Sequence, residues 1–382
     1  MGDLQIGANI LRLRKEKGIT QEEFAEYLGV SKPAVSKWES GQSYPDIFLL
    51  PVIASYFNKS VDELMGYQPQ MTEENIKKTY LRLADAFAKE PFESVLQQSG
   101  ETVKKYYSCW KLLFAIGELF VNHAPQAGSP EKAAAVYEEA SALFERVEKE
   151  SRDAALAHSS LAMRAYCDLV LQRPAEAIDL LDGSTDLLGG SEESKVSAEL
   201  LLVKAYAMKG DKDRAKDVLQ KYLYQGVLAL FGAFPDFMAL YADEQEKLDD
   251  CLHRALGFIK IFGLENLHPA SCFTFYLTAA ALYASKGKSG QALDLLETYV
   301  ALLTREGVFP LRLKGDGFFD RLEPYFASLN LGTDTPRSDI LIRKDMETAV
   351  SQNPAFRSLR DDERFQRVLR RLARWEEESS CR

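Results

Sequence analysis

The chain has 382 residues, 46% of them hydrophobic, and a formal net charge of −10. That length implies two or three domains, and the apolar fraction suffices for globular cores. Net acidity argues against a chain-wide grip on nucleic acid or an anionic membrane. No apolar run approaches the roughly 18 residues that span a bilayer, and Met1–Lys17 reads as a charged amphipathic helix rather than a signal peptide. Five scattered cysteines (Cys109, Cys167, Cys251, Cys272 and Cys381) fit a reducing cytoplasm better than a disulfide scaffold.

The first predicted helix, NILRLRKEKG, supplies Ile10 and Leu13 to a core. Two short helices and a tight turn follow over Gln21–Ser40, QEEFAEYLGVSKPAVSKWES. Thr20 is placed to N-cap the first of them, with Glu23 completing a capping box. Phe24, Ala25 and Leu28 share one face. Gly29 suits the left-handed end of that helix, and Ser31 caps the next, with Pro33 in its first turn. Val35 and Trp38 point to the core, which leaves Lys32, Pro33, Ser36 and Lys37 outward. The segment SGQSYPDIFLLPVIASYFNKSVDELMG adds two helices, the last with a Ser60/Glu63 capping box.

From Gly7 to Gly66 this pattern resembles the helix-turn-helix of the phage-repressor or Cro-like (XRE-type) family, whose members bind double-stranded DNA. The resemblance implies a five-helix, lambda-repressor-like head over residues 1–66, with Ser31–Ser40 as the recognition helix in the major groove. It implies base contacts from Lys32, Pro33, Ser36 and Lys37. It implies phosphate contacts from Gln21, Ser31, Ser40, Gln42, Ser43 and Tyr44. Ala25, Gly29, Val35 and Trp38 would support the recognition helix, and Arg14 and Glu39 would pair to orient it. Against a basic footprint, residues 1–66 carry seven Lys/Arg and nine Asp/Glu, a net of −2 that leaves −8 for the remainder. Binding then requires charge segregated by face, with Glu22, Glu23 and Glu26 turned from the duplex, and a homodimer reading two half-sites.

Gly66-Tyr-Gln-Pro-Gln is a breaker cluster, so residues 67–75 read as a linker. Helical periodicity resumes near Glu73, and strand alternation is nearly absent. Small and aromatic residues recur around candidate turns. Ala279, Ala280 and Tyr283 precede Gly287, and Ala292, Leu296 and Tyr299 follow it. Leu202, Val203 and Tyr206 precede Gly210, with Ala215, Leu219 and Tyr222 after it, at the same offsets. Ala133, Tyr137 and Ala140 follow Gly128, and Gln172 centres a weaker copy between Ala165 and Ala177/Leu181. A degraded unit is expected over Phe234–Gly263. This resembles the tetratricopeptide pattern of stacked helix pairs, here spanning residues 76–306. The expected fold class is all-α, a DNA-binding head followed by a tetratricopeptide-like α-solenoid.

Such repeats line a groove with their first helices. In this register Glu118, Asn122, Ser159, Tyr166, Lys204 and Thr274 face it. The combination resembles peptide-pheromone-sensing regulators of Gram-positive bacteria, which implies a peptide or protein effector. Those regulators hold the peptide with several asparagines. After residue 75 only Asn122, Asn266, Asn330 and Asn353 occur, and Asn122 alone sits at an inner position.

Residues 307–382 read as a capping region. Leu311–Asp334 is expected to be a packed loop with a short helix. Near the C-terminal end, Phe356, Leu359, Phe365, Val368, Leu369 and Leu372 would cover the core. Arg367, Arg370, Arg371 and Arg374 form a solvated face or part of a dimer interface. Four histidines and no CxxC, HExxH, Walker A, GxGxxG or GxSxG pattern give no basis for a metal, a cofactor or catalysis. The sequence reads as a cytoplasmic, nucleoid-associated transcription regulator. Alternatives are an interaction scaffold or antitoxin-like neutraliser in which DNA binding is secondary or lost.

Overall fold

The computed structural model describes residues 5–67, 70–182 and 197–380, and the side chains of these except 378–380. Gln68 and Pro69 of the expected linker, and Cys381, lie outside the described residues. Among the described residues the regular structure is helical, without strands.

The head contains α1 (Ile6–Glu16), α2 (Gln21–Leu28), α3 (Lys32–Glu39), α4 (Leu50–Tyr56) and α5 (Val61–Met65). Both capping boxes form, at Thr20/Glu23 and Ser60/Glu63. Gly29 ends α2 in the left-handed conformation at φ 68°, and the Ser31 side chain accepts the Ala34 N–H. Ile6, Ile10 and Leu13 fall at helical spacing and close on Phe24, Ala25, Val35, Trp38, Ile53 and Leu64. Fully burying a side chain such as Phe24 or Ile10 contributes about 1.5–3 kcal/mol. The helices cross closely: a Cβ at Gly7 would stand 2.0 Å from the Trp38 carbonyl oxygen.

The chain divides into two compact units, Met1–Leu201 and Leu202–Arg382. The first continues beyond the head with α6 (Glu73–Lys89), α7 (Phe92–Lys105), α8 (Trp110–His123), α9 (Pro130–Glu150), α10 (Ala154–Val170) and α11 (Pro174–Leu181), and the division falls within α12 (Ala198–Lys209). Helices α8, α9, α10 and α11 pack on one another in sequence, as helical repeats do. The second unit contains α13 (Lys212–Gly232), α14 (Phe234–Leu240), α15 (Gln245–Phe262), α16 (Leu264–Leu267), α17 (Pro269–Ser285) and α18 (Ser289–Leu303). It continues with α19 (Glu323–Ser328), α20 (Asp339–Ser351) and α21 (Glu363–Ser380).

The four expected turn centres, Gly128, Gln172, Gly210 and Gly287, all have left-handed backbone, at φ 82°, 61°, 86° and 72°. Around Gly287 the six small and aromatic residues are all buried. Around Gly210 the register departs from expectation. Leu219 and Tyr222 are only half-buried, because α13 turns Tyr224, Val227 and Phe231 to the core instead. The degraded unit is α14 and α15, closed by Gly263 at φ 58°.

In the capping region, residues 304–322 are turns and irregular chain and α19 is the short helix, while α20 is an addition to the expected elements. Arg321 clasps Asp213 (2.6 Å) and Asp217 (2.9 Å), and Gln220 donates to Asp320 (2.7 Å), pinning this loop to α13. Phe356, Leu359, Phe365, Val368 and Leu372 are buried in the second unit's core, with Leu369 packed against it. Arg367, Arg370, Arg371 and Arg374 are exposed. One expectation needs correction. Lys212–Leu240, spanning α13 and α14, is long and apolar enough to cross a membrane by length and composition. Lys212, Asp213, Arg214, Lys216, Asp217, Lys221 and Asp236 break up this stretch, so it does not stand out in the sequence as an unbroken apolar run.

Candidate nucleic-acid interface

Helix α3 has an inner and an outer face. Val35 and Trp38 are buried, whereas Lys32, Pro33, Ser36 and Lys37 are exposed. Its position is held by a polar junction beneath it. Arg14 grips Glu39 with two hydrogen bonds, Nε to Oε1 at 2.6 Å and Nη2 to Oε2 at 2.9 Å, and donates a third to the Ile19 carbonyl at 2.8 Å. The side chains are 11% and 4% exposed, so the pair is nearly sealed from water. Burial alone would push the Glu39 carboxyl up. Hydrogen bonds from Arg14 and Gln21 and the charges of Arg14 and Lys15 outweigh it and hold the group below the usual carboxylate range.

Gln21 belongs to this junction. Its Nε2 donates to Glu39 Oε2 at 2.8 Å, which leaves one amide N–H uncommitted by that bond. The sequence analysis assigned Gln21 to phosphate alone, because a bond spanning 18 residues leaves no periodic trace. Ser31 is engaged as the α3 cap, Ser40 Oγ donates to the Lys37 carbonyl at 3.2 Å, Gln42 and Tyr44 are exposed and Ser43 is half-buried. Glu22 corrects the expectation that the α2 acids turn away: its Oε2 meets Lys32 Nζ at 3.2 Å. Glu22 lies in the first turn of α2, beside the start of α3, so the tight turn brings the two together. Among the described residues Lys37 makes no ion pair, so it is the uncompensated cation of the outer face.

A second feature of the first unit is a cleft of about 770 Å³ between α6, α8 and α10. Glu118, Asn122, Ser159 and Tyr166, four of the six expected groove residues, line it. Lys204 and Thr274 do not; they are exposed residues of the second unit. Tyr80, Phe114 and Met163 add apolar and aromatic wall, and the Tyr80 hydroxyl accepts from Asn122 Nδ2 at 3.0 Å. Ser159 is 3% exposed and its hydroxyl has no hydrogen-bond partner. The α6 residues escaped the sequence reading because α6 flanks none of the recognised turns, whereas α8 leads into Gly128.

Residues 10–64 match the family model described as Helix-turn-helix. The chain is 37% identical over 83 residues to the HTH-type transcriptional activator BcrR of Enterococcus faecalis, 20% of this chain and 41% of that protein. It is 39% identical over 61 residues to the antitoxin PezA of Streptococcus pneumoniae, 16% of this chain and 39% of that protein. The chain thus spans about two fifths of the length of these relatives. A solved structure of Bacillus thuringiensis PlcR with the peptide PapR7 and DNA aligns over 70% of this chain and 98% of that one, at 16% identity and a TM-score of 0.29. With its two capped helices around Gly29 and its matched span of 10–64, the head of this chain belongs to the XRE-type helix-turn-helix family.

Proposed function

We propose that the chain is a sequence-specific DNA-binding transcriptional regulator whose helical-repeat region dimerises the protein and senses a peptide or protein partner. The head comprises residues 1–66, the repeats 76–306 and the cap 307–382. In this reading α3 lies in the major groove. Lys32 and Lys37 donate to guanine O6 and N7, Ser36 donates or accepts, and Pro33 meets a thymine methyl. The second amide N–H of Gln21 faces a phosphate, together with Ser31, Ser40, Gln42, Ser43 and Tyr44. Two heads read half-sites about 34 Å apart. The cleft at Ser159 and Asn122 receives the effector, and the protein works in the cytoplasm, at the nucleoid when bound.

The observation that carries this reading is the outward polar face of α3 above a sealed Arg14–Glu39–Gln21 junction. A reading surface must be held before DNA arrives, and a buried bidentate pair does that. The test is recovery of genomic fragments by the purified chain at low salt, with Lys32→Ala/Lys37→Ala as control. An inverted repeat enriched by the wild type and lost in the control is expected. Equal recovery by both would remove the role assigned to α3.

A further inference from the structure

Helices α13 and α14 carry two apolar faces, and the core of the second unit uses one. Tyr224, Val227, Phe231 and Met238 are buried in it. Turned away from it, Leu223, Leu230, Phe237 and Leu240 are 39%, 56%, 41% and 84% exposed. Together with Gly226 and Ala233 they are spaced three and four residues apart in strict alternation, the a and d positions of a coiled-coil seam. Leu219 extends the seam at its start, giving about 31 Å of helix at 1.5 Å per residue. Gly226 is unexplained within the chain. Glycine inside a helix is destabilising relative to alanine, its backbone is not left-handed, and a Cβ there would meet nothing within 4 Å.

We propose that this seam is where two copies of the chain pair, helix against antiparallel helix about a twofold axis. The register follows from side-chain size. Leu230 of one copy fills the space over Gly226 of the second, Leu223 lies over Ala233, and Leu219 meets Phe237. All three pairs are centred on position 228, so a single register satisfies them together. The contact is self-complementary, as a twofold interface must be. None of the seven seam residues is charged, and Asp236, which flanks the seam, lies opposite Tyr222 in this register, so pairing brings no like charges together. In this register Ala229 faces its own counterpart beside the axis, which explains a small exposed residue there. A bilayer suits the exposed face less well. The opposite face is committed to the core, and Arg321 and Asp320 fasten α13 at its start.

The proposal deepens the regulator reading by naming what holds two heads together, and it is tested without DNA. Sedimentation equilibrium of the full chain at low micromolar concentration should show a dimer. Leu230→Glu and Gly226→Leu should each raise the dimer Kd at least tenfold. Gly226→Leu should leave the monomer's thermal midpoint unchanged or higher, since the helix has room for it. In a Cys381→Ser background, Ala229→Cys should form a disulfide-linked dimer on mild oxidation and Lys212→Cys should not. A monomeric wild type, a dimer indifferent to both seam variants, or an Ala229→Cys dimer that fails to cross-link would overturn the proposal. So would a monomer that co-sediments with phosphatidylglycerol vesicles through Leu230. Recovery of operator fragments is scored separately, so loss of this interface leaves the regulator reading intact, and the reverse holds too.

Discussion

The head and the cleft treat buried polar groups in opposite ways. Beneath α3, Arg14, Glu39 and Gln21 satisfy one another, and no buried side-chain N or O atom among the described head residues lacks a partner. In the cleft, the Ser159 hydroxyl is buried with nothing to bond, and Ser160 beside it is in the same condition. A buried hydroxyl left unpaired costs about 1–3 kcal/mol. The difference is between a polar junction that is complete as it stands and a cleft wall that carries an unsatisfied hydroxyl.

Removing the centre of the head's junction should have the largest effect. Glu39→Ala strands the Arg14 guanidinium in a nearly sealed site, a loss of about 3–5 kcal/mol. A domain of this size has little more than that to lose, so chemical denaturation should show the head unfolding first and α3 with it. Gly7→Ala comes next. Its Cβ meets the backbone carbonyl of Trp38, which cannot rotate away, so overpacking of about 1–3 kcal/mol is expected. A neutral Gly7→Ala would mean the α1–α3 crossing is looser than described.

Acid separates the two regions further. Glu39 is held below its ordinary range when folded, so its contribution to stability is complete above the unfolded value of about 4.3. That contribution is lost as pH falls through the lower folded value. Thermal melts from pH 6 to pH 3 should therefore show the head weakening, and Glu39→Gln should flatten that slope. The cleft should respond to mutation with the opposite sign. Ser159→Ala removes an unpaired hydroxyl and should leave stability unchanged or raise it by about 1 kcal/mol, while weakening capture of whatever ligand bonds there. A destabilised Ser159→Ala would show that the hydroxyl is already satisfied.

What could be read beforehand follows the range of the interactions. Capping boxes at Thr20 and Ser60 and the turns at Gly128, Gln172, Gly210 and Gly287 depend on residues a few positions apart, and each leaves a local pattern. Ser159 and Tyr166 were placed from turns close to them in sequence. Lys204 and Thr274 stand at the same offsets from Gly210 and Gly287 as Tyr166 and Ser159 do from Gln172, but they belong to the second unit and do not line the cleft of α6, α8 and α10. Helix α20 lacks a strong apolar face, with Val350 alone fully buried, so periodicity gave little sign of it. The exposed seam on α13 escaped notice for a different reason. An apolar a/d pattern looks the same whether it faces its own core or a second copy.

The contact between Lys32 and Glu22 carries the smallest predicted effect and tests the reading surface most directly. The pair is open to solvent, with side chains 56% and 76% exposed, so it contributes between zero and about 1 kcal/mol. Yet it places a carboxylate beside one of the two cations on the outer face of α3, where a phosphate or base edge would approach. Glu22→Gln keeps the shape and removes the charge. Affinity for operator DNA should rise by a few-fold, a change of about 1 kcal/mol or less. Anisotropy titrations at several salt concentrations should show a steeper salt slope as the Lys32 charge is freed to face the duplex, approaching one additional counterion released. Lys37 has no such neighbour among the described residues, so Lys37→Ala should weaken binding in either background by the same factor. If Glu22→Gln leaves both affinity and slope unchanged, Lys32 lies outside the contact, and the head reads DNA through Lys37 and its uncharged neighbours.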